Sequence, residues 1–327
     1  GIDVNNDPFT WLSEGQGRKP VHRTEDGKIL RGSYTEKDSK FWYVNKDVEY
    51  LFKSVTSSTG ERLGEDWAEK IACELAELLG LPHAHYELAI HKGVRGVVTK
   101  NFISKDSVQR SESLTAGNEL LQEHVSQLEG ENTNIQYVEH VYKVMKNNVK
   151  GKPIGFPSLH NIKTASEFFV GYLMFDALIA NQDRHNENWG MIITSKGETH
   201  LAPSYDHGAS LARNESDGTR QNRLESKDKG QQIANYVKKA KSQFQDSSTN
   251  KRLKLLEAFR RYALMEKVAA LAWLDRLSLI EDVQIWLIID RVPNLLMSNI
   301  AKKFTLQLLI CNRDNLLKMY NEFSEDV

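Results

Sequence analysis

Long hydrophobic runs are missing from this sequence of 327 residues. A helix that crosses a bilayer needs about 20 consecutive apolar residues, and the best candidate, residues 285–296, is interrupted by Asp290, Arg291 and Pro293. The first 15 residues are polar and acidic, so we do not expect a signal peptide there. These absences predict a cytoplasmic protein without a membrane partner.

Cysteine and net charge are also scarce. The two cysteines, Cys73 and Cys311, lie far apart in apolar helical patterns, which indicates buried thiols in a reducing compartment. The 43 basic residues nearly balance the 44 acidic ones, so no overall positive field exists to attract nucleic acid. The ten histidines show no spacing typical of zinc ligands. We therefore expect neither direct binding to nucleic acid nor a structural zinc site.

The pattern of apolar residues changes along the chain. Over residues 1–104 it is mostly the alternation of strands, interrupted by one helix at about residues 64–80 that ends at Gly80. Over residues 105–327 it is mostly helical. The sequence therefore predicts an α+β fold with a β-rich small lobe and a helical large lobe. A cleft between two such lobes is a common place for a small-molecule site.

The strongest motif is FDALIANQDRHNENWGMI, followed by a second short strand and LAPSYDHGASL. Asp183 and Asn188 stand five residues apart, and Asp206 follows Asn188 by 18 residues. Phosphoryl transfer needs one carboxylate at the attacking hydroxyl, and a second carboxylate with an amide oxygen on Mg²⁺. The pattern D-x-x-x-x-N followed by D-x-G matches those loops in kinases. It assigns catalysis to Asp183 and Mg²⁺ binding to Asn188 and Asp206; the alternative is that these residues only cap helix and strand ends.

A second motif lies in the predicted small lobe. Lys53 ends the strand EYLFK, and Glu69 lies on the helix that follows. Kinases hold the nucleotide phosphates with a strand lysine that a helix glutamate orients. Lysines in such places are often only surface residues, and other acids share the helix, so Glu69 is the favoured partner among several.

A loop that covers the phosphates should precede the lysine strand. The candidate is the segment GSYTEKDSK at residues 32–40, in which Ser33 is the candidate contact to the nucleotide. Backbone amides of such a loop can bind phosphate, although the segment has one glycine and a plain hairpin turn is the alternative. His185 is either a second base or a structural partner of the Asp183 loop, and we favour the structural role.

These residues resemble the HipA-like family, the kinase halves of bacterial toxin–antitoxin pairs. The likeness rests on N-x-D-R-H-x-x-N at residues 181–188, on the D-H-G at residues 206–208 and on AEKIACELAELLGLP, which contains Glu69. It also rests on RGVVTKNF, which resembles the strand into the hinge and would set Lys100 and Phe102 beside the nucleotide base.

The resemblance runs from about residue 30 to residue 320, is loose before Lys53, and is to the short members of the family. It implies a two-lobed kinase fold, ATP with Mg²⁺, and phosphorylation of serine or threonine in a protein substrate. Family members often act on translation factors and pair with a small DNA-binding antitoxin.

Two other functions remain open at the level of sequence. D-R-H-x-x-N also occurs in phosphatidylinositol kinases, and residues 213–254, with eleven basic and five acidic residues, supply the basic segment that a lipid kinase would need. The other is a non-catalytic module that uses a kinase fold to hold an antitoxin. The complete set of Lys53, Asp183, Asn188 and Asp206 argues against the second.

Overall fold

The computed structural model describes residues 20–23, 29–30, 40–45, 47–57, 60–61, 63–91, 94–103, 105–106, 110–125 and 135–325. The strands are β1 Pro20–Arg23, β2 Ile29–Leu30, β3 Lys40–Asn45, β4 Val48–Ser54, β5 Thr56–Ser57, β6 Gly60–Glu61, β7 Tyr86–His91, β8 Val94–Lys100, β9 Lys105–Asp106, β10 Arg110–Ser111, β11 Ser113–Ala116, β12 Gly190–Ile193, β13 Thr199–Leu201, β14 Lys241–Gln245 and β15 Arg252–Lys254. The helices are α1 Glu65–Leu79, α2 Gly117–Val125, α3 Val138–Asn147, α4 Ala165–Ile179, α5 Asp217–Glu225, α6 Ile233–Lys239, α7 Leu255–Met265, α8 Lys267–Ser278, α9 Asp282–Asp290, α10 Asn299–Leu317 and α11 Tyr320–Ser324.

The first part of the chain forms an antiparallel sheet of six strands in the order β2-β1-β3-β4-β8-β7. Successive side chains of a strand point to opposite faces. Phe41, Phe52 and Val98 therefore share a small buried cluster on one face. Lys53, which pairs in register with Val97 on β8, points to the other face. The predicted alternation of apolar and polar residues along the strands is thus present. Because of it, the side chain of Lys53 points toward the large lobe.

Helix α1 joins the sheet to the large lobe. Gly80 ends it in the left-handed conformation (φ 71°), and its N–H donates to the carbonyls of Ala76 and Glu77. The helix is buried nearly all round, because it contacts β7 and β8 on one side while Trp67 and Ile71 belong to the same core as the large-lobe helices. The helix predicted at residues 64–80 is therefore also part of the main core.

Helix α4 lies at the centre of the large lobe. Its residues are almost all buried, as expected for a helix that neighbours surround, and α7, α8 and α10 pack against it. Thr164 and Glu167 form a capping box at its start, and Ala180 ends it in the left-handed conformation (φ 53°). The chain then enters residues 181–188 and continues into β12, which pairs with β11 and β13. The candidate loop thus starts from the most deeply buried helix.

Two further observations bear on the class of protein. Both cysteines are free thiols; Cys73 is buried and Cys311 is half-buried. Among the described helices, none has the length and apolar character that crossing a bilayer requires.

Candidate active site

A cavity of about 400 Å³ lies between the sheet and the large lobe, within the size range of small-molecule sites. Six residues that the sequence predicts for the site line it: Lys53, Glu69, Lys100, Phe102, Asn188 and Asp206. The carboxyl of Asp183 is close enough for its ionisation to respond to Asp206 and Lys53. Ser33 lies outside the described residues. The cleft therefore brings together predicted residues from distant parts of the chain.

Lys53 carries one of the positive charges that line this cavity, together with Lys40 and Lys100. Its Nζ lies 2.7 Å from Oε1 of Glu65 and 3.7 Å from Oδ1 of Asp206. Burial acts to lower the pKa of Lys53, but the charges of Asp206 and Glu65 outweigh it and the pKa is raised. Lys53 therefore stays protonated and tethers the sheet to both helix α1 and the Asp206 loop.

The predicted partner of Lys53 needs a correction, because Glu65 and not Glu69 makes the ion pair. The two glutamates are four residues apart and therefore share one face of α1. Glu69 lies deeper, and its Oε1 accepts a hydrogen bond of 2.7 Å from the backbone N–H of His207. Burial, with a further contribution from Asp206, raises the pKa of Glu69 well above its usual range. Glu69 thus holds the loop after Asp206, and Glu65 orients the lysine.

The loop of Asp206, His207 and Gly208 is held tightly. Asp206 has a left-handed backbone (φ 61°), which is uncommon for a residue other than glycine and is typical of functional sites. Its N–H donates to the hydroxyl of Tyr86 at 3.1 Å. A Cβ on Gly208 would lie 2.4 Å from Cγ of Glu65 and 3.0 Å from Oε2 of Glu69. Glycine is therefore required because α1 approaches the loop so closely.

Hydrogen bonds between its own residues shape the loop of residues 181–188. The N–H of Asp183 donates to Oδ1 of Asn181 at 3.1 Å, and Nδ2 of Asn188 donates to the carbonyl of Asp183 at 2.7 Å. The amide of Asn188 is thus oriented through its nitrogen, so its oxygen is the atom that could bind a metal. Oxygen from an amide and from a carboxylate suits Mg²⁺.

Asp183 is half exposed, with 44% of its side chain accessible. Burial and the nearby charge of Asp206 raise the pKa of Asp183, while His185 opposes the shift. Nε2 of His185 lies 3.9 Å from Oδ2 of Asp183, and Nδ1 of His185 accepts the N–H of Glu187 at 3.2 Å. The imidazole is therefore tied to the loop backbone beside the carboxylate of Asp183.

Sequence reasoning missed the role of Arg184, which connects three segments. Its guanidinium binds both carboxylate oxygens of Asp176 on α4 at 2.8 and 2.9 Å. It also donates to the carbonyl of Asn188 at 3.0 Å and to the hydroxyl of Ser204 at 2.8 Å. Arg184 and Asp176 are both almost fully buried. The only signal in the sequence was the position of Arg184 beside Asp183, which does not tell where the side chain points.

The chain of contacts continues through His207. Its Nε2 lies 2.7 Å from Oγ of Ser204, the hydroxyl that Arg184 also contacts. Burial lowers the pKa of His207 well below its usual range, so the imidazole is neutral. A neutral imidazole packed edge-on against Phe175 links the Asp206 loop to α4 without adding charge to the cleft.

The far end of the cavity is apolar. The rings of Phe102 and Tyr205 lie 5.6 Å apart, and the hydroxyl of Tyr205 donates to the carbonyl of Glu187 at 3.0 Å. The N–H of Lys100 donates to the carbonyl of His85, which fixes the strand that leads into residues 101–103. Within the described part of the chain, no three His, Cys, Asp or Glu side chains form a cluster that could hold a metal ion by itself. A magnesium site made by Asn188, Asp206 and the phosphates of a bound nucleotide does not need such a cluster.

A family model described as the HipA-like C-terminal domain matches residues 35–271 of this chain. Among solved structures, the fold is similar to that of the proinflammatory kinase CtkA of Helicobacter pylori. The TM-score is 0.67 and the identity 22%, over 88% of this chain and 94% of that one. This likeness confirms the predicted α+β, kinase-like fold.

A second solved structure is the complex of HipA, HipB and operator DNA from the toxin–antitoxin system of Shewanella oneidensis MR-1. It matches with a TM-score of 0.49 and 12% identity, over 97% of this chain and 76% of that one. No curated protein sequence matches the chain.

The role of Arg184 predicts a large loss of stability on its removal. Arg184→Gln leaves the Asp176 carboxylate buried without its counter-charge, which costs about 3–5 kcal/mol. Urea unfolding should therefore shift strongly, and adding Asp176→Asn should recover part of the loss. The matched control is Arg260→Gln, since Arg260 binds Glu322 on the partly exposed surface and such pairs are worth about 0–1 kcal/mol. Equal effects of the two arginine substitutions would contradict the assigned role.

Proposed function

The chain belongs to the family of HipA-like C-terminal domains, and we propose that it transfers the γ-phosphoryl group of ATP, with Mg²⁺, to a serine or threonine hydroxyl of a protein. One observation carries the proposal. Lys53 from the sheet and Asp206 from the large lobe meet at 3.7 Å across the cleft, and Asn188 lines the same cavity. A lysine, a carboxylate and an amide oxygen around one cavity are the groups that hold a metal-bound triphosphate.

The nucleotide would lie with its base at the apolar end. Phe102 and Tyr205 offer ring faces there, and Lys100 lines the same region. The phosphates would reach the charged end, where Lys53 is protonated and exchanges part of its contact with Asp206 for a phosphate oxygen. Glu65 keeps the lysine in place because their ion pair is short, at 2.7 Å. Lys53 therefore acts as a positioned charge in a partly dry cleft, where such charges act most strongly.

Asn188 and Asp206 fit a magnesium ion. Both offer oxygen atoms, and both are fixed: Asn188 by its bond to the Asp183 carbonyl, and Asp206 by its bond to Tyr86 and its strained backbone. Mg²⁺ bound there would neutralise the negative charge of the phosphates. The strain at Asp206 is held by Glu69, which grips the next backbone N–H.

Asp183 is the proposed base. Its carboxylate is half exposed, so a substrate hydroxyl can reach it from solvent, and its backbone is held by Asn181. A pKa raised by burial makes it a stronger base than an ordinary aspartate. It would orient the hydroxyl and accept its proton as the oxygen attacks the γ-phosphorus and ADP leaves. The substrate would be a protein such as a translation factor, and a small DNA-binding antitoxin would control the enzyme.

Asp183→Asn is the test of this proposal. The substitution keeps size and removes charge, so it should bind Mg·ATP within a few-fold of wild type in calorimetry yet phosphorylate no protein. If expression of the wild type arrests cell growth, expression of Asp183→Asn should leave growth unaffected. Loss of ATP binding together with activity would move Asp183 to the metal or to a structural role. Growth arrest without phosphorylation would favour a binding module over an enzyme.

The ion pair between Lys53 and Glu65 predicts how substitutions of either residue affect the use of ATP. Lys53→Ala should lower kcat/KM for ATP because the phosphates lose their positive clamp, and Glu65→Gln should lower it in part because the lysine is no longer oriented. Steady-state kinetics at varied ATP, with thermal unfolding as a check of the fold, measure both. The matched control is Glu74→Gln, on the same helix, since Glu74 pairs with Lys70 instead. Unchanged kcat/KM in Lys53→Ala would assign the clamp to another lysine.

The effect of His185 on Asp183 predicts a pH dependence. The base works deprotonated, so activity is present above the pKa of Asp183 and is lost as the pH falls through it. A protonated His185 lowers this pKa, and His185→Gln removes that charge. The acidic limb of the kcat/KM profile should therefore move to higher pH in the variant, while activity at neutral pH stays near wild type. A limb that does not move, or that moves to lower pH, would contradict the role of Asp183 as the titrating base.

A further inference from the structure

A second cavity, of about 530 Å³, lies where three helices begin. Its lining includes one residue from each helix start. Gly64 precedes α1, Asp217 is the first residue of α5, and Ser298 precedes α10. These helices have 15, 9 and 19 residues. Each helix start carries roughly half a positive charge from the aligned peptide dipoles. Three such ends around one cavity favour an anion inside it.

Three arginines add full positive charges: Arg95, Arg213 and Arg220 line the cavity. Two carboxylates line it as well, but both are engaged. Glu215 pairs with Arg223 at 3.6 Å. Asp217 accepts hydrogen bonds from Arg220 at 2.8 Å and from Ser298 at 3.0 Å. Asp66, outside the lining, neutralises Arg95, and Arg223, also outside it, neutralises Glu215. The surplus positive charge of the cavity is therefore that of a single arginine.

The second, independent sign of a ligand comes from Arg220. This residue is only 6% exposed, and its guanidinium lies over the ring of Trp67 at 6.0 Å. Its Nη atoms donate to Asp217 and to the carbonyl of Arg213. Its Nε is buried and has no hydrogen-bond acceptor among the residues that the structure describes. A buried donor without an acceptor is costly, and because Arg220 lines the cavity, a small turn of its side chain would bring this Nε to an anion there.

Arg213 points to the same conclusion. It is half-buried, and its Cβ lies 3.1 Å from where a Cβ on Gly64 would be. Within the described ranges, its guanidinium has neither a carboxylate partner nor a hydrogen-bond acceptor, while Arg95 is already held by Asp66 at 2.8 Å. Arg213 is therefore the arginine best able to turn onto a ligand.

We propose that this cavity is a binding site for a phosphate monoester dianion. In the part of the chain that the structure describes, the free guanidinium of Arg213 and the unpaired Nε of Arg220 offer donors that suit the oxygens of a phosphate, and the helix ends favour a double charge. The phosphate comes either from a phosphorylated serine or threonine of this chain or from a small phosphorylated molecule. The site is separate from the cleft, because its lining shares no residue with that of the Lys53 cavity.

Binding at this site has a consequence for the cleft. Gly64 directly precedes Glu65, which orients Lys53, and Arg213 follows Gly208 by five residues. A phosphate held by Arg213 against the start of α1 would therefore tie the lysine-orienting helix to the segment after the Asp206 loop. This consequence for activity rests on the proposed function, but the binding itself does not.

The test is calorimetric titration of inorganic phosphate into the whole protein after phosphatase treatment, with sodium chloride at equal ionic strength as the blank. Wild type should bind saturably. Arg213→Gln should weaken binding at least tenfold and Arg213→Lys less. Arg260→Gln, an equal change of charge outside the cavity, should bind within about twofold of wild type. Lys53→Ala should also stay within twofold, which separates this site from phosphate bound in the cleft.

Two results would overturn the proposal: no saturable binding by wild type, or binding that Lys53→Ala removes and Arg213→Gln leaves intact. Circular dichroism checks that each variant is folded. If Arg213→Gln does not fold, the weaker binding expected of Arg213→Lys still tests the proposal. Intact-mass measurement before phosphatase treatment distinguishes the sources. If the protein carries a covalent phosphate and binds added phosphate only after phosphatase treatment, its own phosphorylated residue is the ligand. If the protein is unmodified and binds added phosphate without treatment, the ligand is a free phosphorylated molecule.

Discussion

The buried ion pair between Arg184 and Asp176 is the interaction on which the rest of the site depends. Asp176 belongs to α4, the most deeply buried helix, and Arg184 extends from it to Asn188 and to Ser204. One guanidinium therefore fixes the loop of residues 181–188 and the strand end that leads to Asp206. Burying two charges is costly, and such a pair is retained only with good geometry and further hydrogen bonds. Here the further bonds are the ones that position both loops.

A second set of contacts brings the small sheet to those loops. Helix α1 approaches so closely that only glycine fits at position 208, and two of its glutamates hold different partners. Glu69 holds the backbone of His207, and Glu65 holds Lys53. Because the start of the same helix also forms one wall of the arginine-lined cavity, a charge bound there would act on the lysine through a single rigid element.

The sequence predicts the candidate site where the identity and spacing of residues carry chemistry. Lys53, Asn188 and Asp206 were predicted from short motifs and line one cavity, and Asp183, predicted in the same way, lies close enough for its pKa to respond to Asp206 and Lys53. The sequence was not sufficient for choices that depend on depth or direction: Glu65 and Glu69 lie one turn apart on one face, and only packing decides which meets Lys53. The role of Arg184 and the cavity at three helix starts depend on residues far apart in the chain, which no local pattern joins.

Electron paramagnetic resonance of Mn²⁺, used in place of Mg²⁺ and titrated in the presence of ATP, measures whether Asn188 and Asp206 hold the metal of phosphoryl transfer. We expect wild type to bind Mn²⁺ tightly only when ATP is present, and we expect Asp206→Ala and Asn188→Ala each to lose this binding, with circular dichroism as the check that each variant is folded. Tight binding of Mn²⁺ with ATP by Asp206→Ala, equal to that of wild type, would show that the metal lies elsewhere and would contradict the assignment of this cleft as the phosphoryl-transfer site.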